Sequence, residues 1–274
     1  MKQVATIILN RNLPVVTDAL CEHILRFDGD CTDVFVVEAG SDPDRLSKYA
    51  SWHADWPDAR ENGLRYFRGM NFGLSKLYQS KNFDKYSAFF LLTNDAEFPA
   101  GPVVSPLMEV LSQHPRVGLL SPCSSRWGEQ LLLKKEKTKY FWYIHNVAYL
   151  LRREFIESVM NESSDPVLDF LFDGNNFRGY GAEQEIIAKA YANDFAAAIT
   201  NTVCVEENER HLLDHAEQIK TEAYGVNLEL YIDEGIRWMR KKYGFNSRWT
   251  MQQYVKSFYD HFFYFHPEFI QYKI

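Results

Sequence analysis

The stretch LLTNDAEFPAG, residues 91–101, places two carboxylates, Asp95 and Glu97, directly after an apolar run. The run begins earlier, in YSAFFLLT (86–93), and a continuous apolar segment of this length is typical of a strand buried on both faces. A buried strand that ends in two acids predicts a ligand site at its carboxyl end, because ligands of open α/β sheets bind beyond that edge.

The segments before this stretch alternate between strand and helix patterns. VATIIL (4–9) has the composition of a buried strand, and apolar residues at helical spacing predict a helix after Pro14. DVFVVEAGSDPD (33–44) repeats the pattern of an apolar strand that ends in an acid and a turn. Such alternation predicts a parallel sheet with helices on its faces.

The same alternation continues through the rest of the first 215 residues. We predict two more helices near 69–81 and after Val104, and a helix with an acidic first turn in GAEQEIIAKAYAND (181–194). Further strands are predicted at LRYF (64–67), RVGLLSP (116–122) and, as one long aromatic-rich strand, YFWYIHNVAYLLRREF (140–155). Beyond about His215, helical segments rich in aromatic residues follow without further alternation.

Composition and charge exclude several classes of protein. The 274 residues are 46% apolar and 24% charged, as in ordinary globular proteins, and the net charge of −7 argues against nucleic acid as a partner. The four cysteines form no C-x-x-C pair, which indicates buried thiols in a reducing compartment. With no apolar run long enough for a signal peptide or a membrane span, we expect a cytoplasmic protein.

Asp95 and Glu97 form an Asp-x-Glu element that suits a hard divalent cation. Carboxylate oxygens are the preferred ligands of Mg²⁺ and Mn²⁺, and a turn can direct both toward one centre. The alternative is a solvated acidic turn with no ligand.

Six segments together resemble the GT-A-fold glycosyltransferases, specifically the large inverting family 2. In chain order these segments are IILNRNLP (7–14), VFVVEAGSD (34–42), RGMNFGLSKL (68–77), LLTNDAEF (91–98), NVAYLLRREFIE (146–157) and FDGNNFRGYGAEQEI (172–186). The resemblance covers roughly residues 4–215. It implies an α/β fold with a mostly parallel central sheet flanked by helices, a catalytic domain over residues 1–215 and a helical C-terminal extension over 216–274.

The resemblance implies transfer of a hexosyl or N-acetylhexosaminyl group from a nucleotide-diphosphate sugar, UDP-sugar by family frequency, to an acceptor hydroxyl with inversion. Asp95 and Glu97 fall on the family's metal-binding element, where Mn²⁺ or Mg²⁺ bridges the two phosphates of the donor. The residues that it places around the donor are Asn10, Glu38, Arg68, Asn71, Asn94 and Asp95. Glu38 would contact the base or ribose. Arg68 and Asn71 are expected to open a helix whose N-terminus, with a nearby arginine, suits phosphate or the uracil edge, the alternative being helix capping and surface charge.

An inverting enzyme needs a general base, which the family supplies from a Glu-Asp pair at a helix start after a glycine. In YGAEQEI (180–186) this pair corresponds to Ala182 and Glu183, so Glu183 is the predicted base. Glu185 is the alternative if the alignment slips by two residues. Both acids also suit the helix dipole, which leaves a purely structural role open.

Four further side chains are candidates for the same region. His211 is expected to complete the metal shell, with His215 as the alternative ligand, although a lone histidine is more often a packing residue. Trp127 and His145 are candidates for the border of the acceptor site, since aromatic faces stack on sugar rings.

The C-terminal segment YVKSFYDHFFYFHPEFI (254–270) is dense in aromatic residues. We expect it to pack on the catalytic domain; the alternatives are a homodimer face or peripheral contact with the inner face of a membrane that carries a lipid-linked acceptor. The acceptor itself is expected to be a glycan or a lipid-linked sugar.

Two other functions are compatible with the sequence. A sugar nucleotidyltransferase shares the sheet and the metal, but NRNLPVV (10–16) lacks the glycine-rich basic signature after the first strand. A non-catalytic member of the fold that binds a sugar nucleotide or a partner protein is supported only by Ala182.

Overall fold

A computed structural model describes residues 2–124, 129–133, 137–162, 165–208 and 210–274. The strands are β1 (Val4–Asn10), β2 (Thr32–Glu38), β3 (Ala50–His53), β4 (Ala88–Thr93), β5 (Ala96–Glu97), β6 (Val117–Cys123), β7 (Thr138–Tyr140), β8 (Ala148–Arg152), β9 (Ala196–Cys204) and β10 (Glu206–Glu207). The helices are α1 (Pro14–Asp28), α2 (Pro57–Asn62), α3 (Arg65–Gln79), α4 (Val104–Gln113), α5 (Glu129–Leu133), α6 (Arg153–Val159), α7 (Ala182–Ala192), α8 (His211–His215), α9 (Tyr224–Tyr243) and α10 (Arg248–Phe265). Short 3₁₀ turns cover Phe83–Lys85 and Pro267–Tyr272.

Eight strands form one central sheet in the order β3-β2-β1-β4-β8-β6-β9-β7. The four strands from β3 to β4 run parallel, as do β6 and β9, whereas β8 runs antiparallel between β4 and β6 and β7 is antiparallel to β9. The predicted mostly parallel α/β sheet flanked by helices is therefore confirmed. Strands β5 and β10 form a separate two-stranded antiparallel ribbon.

The sheet is buried because its central strands are apolar on both faces. All seven residues of β6 and five of the six in β4 are buried, and both strands lie inside the main core. Since β1, β2 and β4 are parallel neighbours, their carboxyl ends meet at one edge, where Asn10, Glu38 and Thr93 end the strands.

The prediction of a strand at LRYF is wrong. Leu64 precedes α3, and Phe67, Met70, Leu74 and Leu77 recur at helical spacing and are buried on the core side of that helix. The strand that pairs with β2 lies earlier in the chain, at β3, which is short and partly exposed.

The prediction of one long strand over residues 140–155 is also wrong. The segment ends β7 at Tyr140, continues without regular structure through 141–147, forms β8, and enters α6 at Arg153. The strands β7 and β8 pair with different neighbours, β9 and β4, so one continuous strand could not make both pairings.

The C-terminal helices pack on the rest of the chain. Val255, Tyr259, Phe262 and Phe263 of α10 belong to the same core as the sheet, and α10 contacts α7. Trp238 and Met239 of α9 form a smaller cluster with Met251. No helix in the described ranges is long and apolar enough to span a membrane.

Candidate active site

The predicted acids lie where the carboxyl ends of the parallel strands meet. After β4, residues 94–95 form a turn that leads into β5, and β5 pairs with β10 so that Glu97 faces Glu206. The amide N–H of Asn208 donates to the carbonyl of Asp95 at 2.9 Å, and its Nδ2 donates to Oε1 of Glu97 at 3.0 Å. The ribbon thus fixes both acids of the Asp-x-Glu element at this edge.

Asp95 carries an unsatisfied buried oxygen. Its Oδ1 atom is buried and has no hydrogen-bond partner among the described residues, while Glu97 is exposed. A buried acceptor without a partner costs free energy unless another group binds it. Two carboxylates, one of which has a buried oxygen without a hydrogen-bond partner, are suitable ligands for a divalent cation. Asp95 and Glu97 would be its protein ligands.

The remaining predicted metal ligand is His211, with His215 as the alternative. His211 begins α8, but its side chain lies outside the described residues, as does Trp127 as a whole. His215, the alternative, is half-buried at the end of α8. Within the described residues, no group of three or more His, Cys, Asp or Glu side chains is arranged to hold a metal ion. The role of His211 stays a prediction.

Asn10 and Asn94 are brought together at the same edge. The Nδ2 atom of Asn94 donates to Oδ1 of Asn10 at 3.4 Å and to Oγ1 of Thr17 at 3.1 Å. The Oδ1 atom of Asn10 also accepts the amide of Leu13, which fixes the turn between β1 and α1. These contacts link the ends of two parallel strands below the acid turn.

Glu38 is buried within protein contacts. Its Oε2 accepts hydrogen bonds from Nδ2 of Asn10 at 2.8 Å and from Oγ of Ser41 at 2.5 Å, and its Oε1 accepts the amide of Ser47 at 2.8 Å. The side chain is 0% exposed, and burial raises its pKa. In this arrangement Glu38 holds the loop after β2 against β1. The direct contact with a nucleoside stays a prediction that requires this loop to move.

Arg68 and Asn71 do not open a helix, because α3 begins three residues before Arg68. Asn71 is fully buried, and its amide donates to the carbonyls of Val167 and Phe172 and accepts from the amides of Leu171 and Phe172. Its hydrogen-bonding groups therefore anchor residues 167–172. The prediction that Asn71 opens a helix is wrong, since Asn71 lies in the second turn of α3, and its contact with a donor stays a prediction.

Arg68 serves a similar purpose. Its Nε donates to the carbonyl of Gly174 at 2.8 Å, and its guanidinium lies 4.7 Å from the ring centre of Phe177. Both contacts tie α3 to the segment that leads into α7. The contact of Arg68 with a donor stays a prediction.

Two arginines that were not among the residues predicted from the sequence lie at the edge of the sheet where the parallel strands end. Arg11 and Arg65 line a pocket of about 120 Å³ together with Asn94 and Thr221. The Nε atom of each is buried without a hydrogen-bond partner among the described residues. Burial, reinforced by the charge of Arg65, lowers the pKa of Arg11 to about 10. The two free Nε–H groups can bind an anion, although Nη2 of Arg65 lies 3.4 Å from Oε2 of Glu222.

A segment near the start of the extension covers this pocket. Nη2 of Arg65 donates to Oγ1 of Thr221 at 2.7 Å, and Nδ2 of Asn12 donates to the carbonyl of Gln218 at 2.7 Å. The only local signal for the two arginines is that Arg11 directly follows the end of β1. Arg65 meets Thr221 from 156 residues away, a contact that no local pattern predicts.

Glu183 lies in the first turn of α7, directly after a tight turn. Gly181 has a φ of 88°, a left-handed conformation that glycine adopts without strain, and it precedes the helix. Glu183 is half-buried, and burial raises its pKa to about 7, although hydrogen bonds from the amides of Glu183 and Gly181 oppose the effect. A carboxyl group with this pKa exchanges a proton readily at neutral pH.

Glu185 is held by α9 instead. Its carboxylate accepts a short hydrogen bond from the hydroxyl of Tyr243, and Nζ of Lys242 lies 2.6 Å from Oε1. The same Nζ lies 2.6 Å from Oδ2 of Asp173, which also accepts the indole N–H of Trp238. Of the two candidate bases, only Glu183 lies outside this ion-pair cluster.

His145 lies in the irregular segment between β7 and β8. Its ring packs against Tyr143 in an edge arrangement with 5.2 Å between the ring centres, and burial lowers its pKa. The phenol of Tyr143 contributes to the electrostatic surroundings of Tyr231 in α9, and the place of His145 at the border of an acceptor site stays a prediction.

Comparison with known proteins agrees with this architecture. No protein-family model matches the sequence, and no curated protein matches it either. Among solved structures, the chain is similar to GalNAc-T7 with UDP, GalNAc and Mn²⁺, with a TM-score of 0.55 and 11% identity over 96% of this chain. It is also similar to Staphylococcus aureus TarS 1–349 in complex with UDP, with a TM-score of 0.50 and 10% identity over 88% of this chain.

The chain spans 56% of the GalNAc-T7 chain and 73% of the TarS chain. At such low identity the similarity concerns the fold alone. Together with the strand order and the acid turn after β4, it shows that the chain has the GT-A fold.

Proposed function

We propose that the protein is a metal-dependent glycosyltransferase that moves a sugar from a nucleotide-diphosphate sugar to an acceptor hydroxyl. The observation that carries the proposal is the acid turn after β4, with its unpaired buried Asp95 oxygen. The structures of GalNAc-T7 and TarS, which share the fold, contain UDP, and the former also contains Mn²⁺. UDP-sugar is accordingly the proposed donor, and Mn²⁺ or Mg²⁺ the proposed metal.

The donor diphosphate is proposed to lie between the acid turn and the two arginines. Arg11 and Arg65 have buried N–H groups that are not used by the described residues, and phosphate oxygens would satisfy them. A divalent cation held by Asp95 and Glu97 would supply positive charge where negative charge develops on the departing diphosphate. The pocket is too small for a nucleotide as it stands, so residues 218–222 would have to move aside.

Glu183 is the proposed general base. It would take the proton from the acceptor hydroxyl as the acceptor oxygen bonds to the anomeric carbon and the bond to the diphosphate breaks. Its raised pKa suits this task, because a base is most effective when its pKa is close to the working pH. Inversion at the anomeric carbon, membership of family 2, and the hexosyl or N-acetylhexosaminyl group follow from the sequence resemblance.

The proposal extends to the cellular compartment of the enzyme, its acceptor and the contacts of its C-terminal surface. We place it in the cytoplasm, acting on a glycan or lipid-linked acceptor. Tyr264, Phe265 and Ile270 at the end of the chain are 78%, 69% and 57% exposed, and they support a homodimer or peripheral membrane contact through this surface.

Thermal unfolding with nucleotides tests the proposal. UDP, GDP, dTDP and CMP are added with and without Mn²⁺ to the wild type and to Asp95→Asn. A ligand at a hundredfold excess over its dissociation constant stabilises by roughly 2.7 kcal/mol, a shift of several degrees. We expect UDP to stabilise the wild type only when Mn²⁺ is present, and Asp95→Asn to lose the effect.

Asp30→Asn is the matched control, because Asp30 is exposed and precedes β2 at the amino edge of the sheet. It should keep the full nucleotide effect. If no nucleotide stabilises the wild type, or if Asp95→Asn responds like Asp30→Asn, the proposed donor site is wrong.

A further inference from the structure

The helix α9 lies directly on the chain that leads to Glu183. Gly235 packs so closely on Tyr180 that an added Cβ atom would lie 2.4 Å from the Tyr180 carbonyl oxygen. One turn earlier on α9, the ring of Tyr231 meets the ring of Tyr180 edge-on, with 5.0 Å between their centres and 70° between their planes. Tyr180 is three residues before Glu183, so α9 forms a wall beside the proposed base.

Tyr231 packs on Tyr180 and is within electrostatic reach of both the proposed base and the acid ribbon. Burial raises the pKa of its phenol, and the charge of Glu183 raises it further, followed by smaller effects of Tyr180, Tyr143 and Glu207. Glu207 belongs to β10 and pairs with Ala96, the residue next to Asp95. Tyr231 is therefore near both chemical elements of the site, although it belongs to the C-terminal extension.

The wall is held in place by partly buried ion pairs. Lys242 bridges Asp173 and Glu185 at one end of α9, and Arg178 pairs with Glu222 and Glu234 near the other. These contacts fix the position of Tyr231. They also pair both cations with carboxylates, and the charged and phenolic groups that act on Tyr231 are Glu183, Tyr180, Tyr143 and Glu207.

These surroundings select the chemistry of an acceptor. Aromatic rings stack on the apolar C–H faces of sugar rings, and phenol hydroxyls can form hydrogen bonds with sugar hydroxyls. Glu183 and Glu207 would repel an acceptor that carries a carboxylate or a phosphate near the reacting hydroxyl. We propose that Tyr231, with Tyr180, forms an aromatic acceptor subsite beside Glu183 that takes a neutral saccharide.

The inference rests on the proposed function, and its test distinguishes failure of the acceptor subsite from failure of the proposed donor site. The probes are the methyl glycosides of glucose, galactose and N-acetylglucosamine, compared with glucuronic acid and glucose 6-phosphate. Binding is measured by saturation-transfer NMR in the presence of UDP and Mn²⁺, and stabilisation by UDP and Mn²⁺ is measured in parallel. The variants are Tyr231→Leu, which keeps apolar volume but removes the ring, and Tyr231→Phe, which keeps the ring.

We expect at least one neutral glycoside, and neither anionic sugar, to bind the wild type. Tyr231→Leu should weaken this binding by about two- to tenfold, Tyr231→Phe should bind more tightly than Tyr231→Leu, and UDP should stabilise both as it does the wild type. Tyr224→Leu is the matched control, because Tyr224 is on the same helix but 48% exposed. It should bind like the wild type.

Three results would overturn the acceptor subsite while leaving the donor site standing. They are stronger binding of an anionic sugar, binding of none of the neutral glycosides, and equal binding by Tyr231→Leu and the wild type, each with normal stabilisation by UDP. Loss of the UDP effect in the wild type itself would overturn both proposals.

Discussion

At the scale of single residues, Glu183 and Glu185 show how the same side chain acquires two roles within one helical turn. Glu185 is buried against Lys242 and Tyr243, so its charge is neutralised by protein groups. Glu183 is outside this cluster, and burial raises its pKa to about 7. Divergent environments of this kind are the pattern by which proteins assign acid and base roles to similar carboxyl groups.

The pKa of Glu183 predicts the pH dependence of turnover. A base must be deprotonated to accept the proton, so turnover should fall as the pH drops below about 7. Glu183→Gln should lower turnover by roughly 10²–10⁴-fold. UDP release at saturating donor, measured from pH 5 to pH 9, checks both expectations.

Glu183→Gln also has an expected effect on stability. The pKa of Glu183 in the folded state is above its value in an unfolded chain, so ionisation destabilises the fold, and this cost is present above pH 7 and absent below about pH 4. The variant should therefore unfold a few degrees higher than the wild type at pH 8. Unchanged turnover together with an unchanged unfolding temperature would show that Glu183 is a solvated surface acid.

At the scale of elements, the Lys242 cluster is one of the contacts that attach α9 to the segment leading into α7 and to α7 itself. Burial raises the pKa of Asp173, but hydrogen bonds from Lys242, Trp238 and Asn175 outweigh this and lower it to about 2. A carboxylate with a lowered pKa stabilises the fold above its unfolded pKa, near 4, and the contribution is lost as the pH falls through 2.

Lys242→Met should therefore destabilise the protein in a pH-dependent way. The change leaves the buried carboxylates of Asp173 and Glu185 without their cation, at a cost of roughly 1–2 kcal/mol because Lys242 is partly exposed. Urea unfolding at pH 7 and at pH 3 measures the deficit, which should be smaller at pH 3. Lys241→Met, at an exposed neighbouring position, should unfold like the wild type at both pH values.

The elements also show which parts of the fold a sequence can predict. Strands β1, β4 and β6 are continuous apolar runs, which the sequence predicts correctly as buried strands. The position of the two acids at the carboxyl end of the sheet follows because they come directly after β4. The strand predicted at LRYF is wrong, because three apolar or aromatic residues among four suit a strand and a helix equally until their neighbours are known. The pocket arginines could not be predicted, since Arg65 meets Thr221 only after the chain has folded back over the sheet.

At the scale of the whole molecule, the C-terminal extension belongs to the main core. Phe262 and Phe263 of α10 are 2% and 4% exposed and join the core cluster that contains the central strands. Tyr259 donates its hydroxyl proton toward backbone carbonyls and also accepts the amide of Ile274, which ties the last residues to α10. The proposed boundary near residue 215 therefore separates two regions of sequence that fold around one core.

This shared core predicts that substitutions in the extension destabilise the whole chain, the central sheet included. Phe262→Ala should cost about 3–5 kcal/mol, because it opens a cavity between α10 and α7, whereas Phe265→Ala on the same helix, 69% exposed, should change stability by less than about 0.5 kcal/mol. Urea unfolding followed by circular dichroism should show one transition in both variants, with the midpoint lowered only in Phe262→Ala. Two separate transitions, with only the smaller one shifted by Phe262→Ala, would mean that the extension folds independently, and the acceptor wall formed by α9 would then be a separate module.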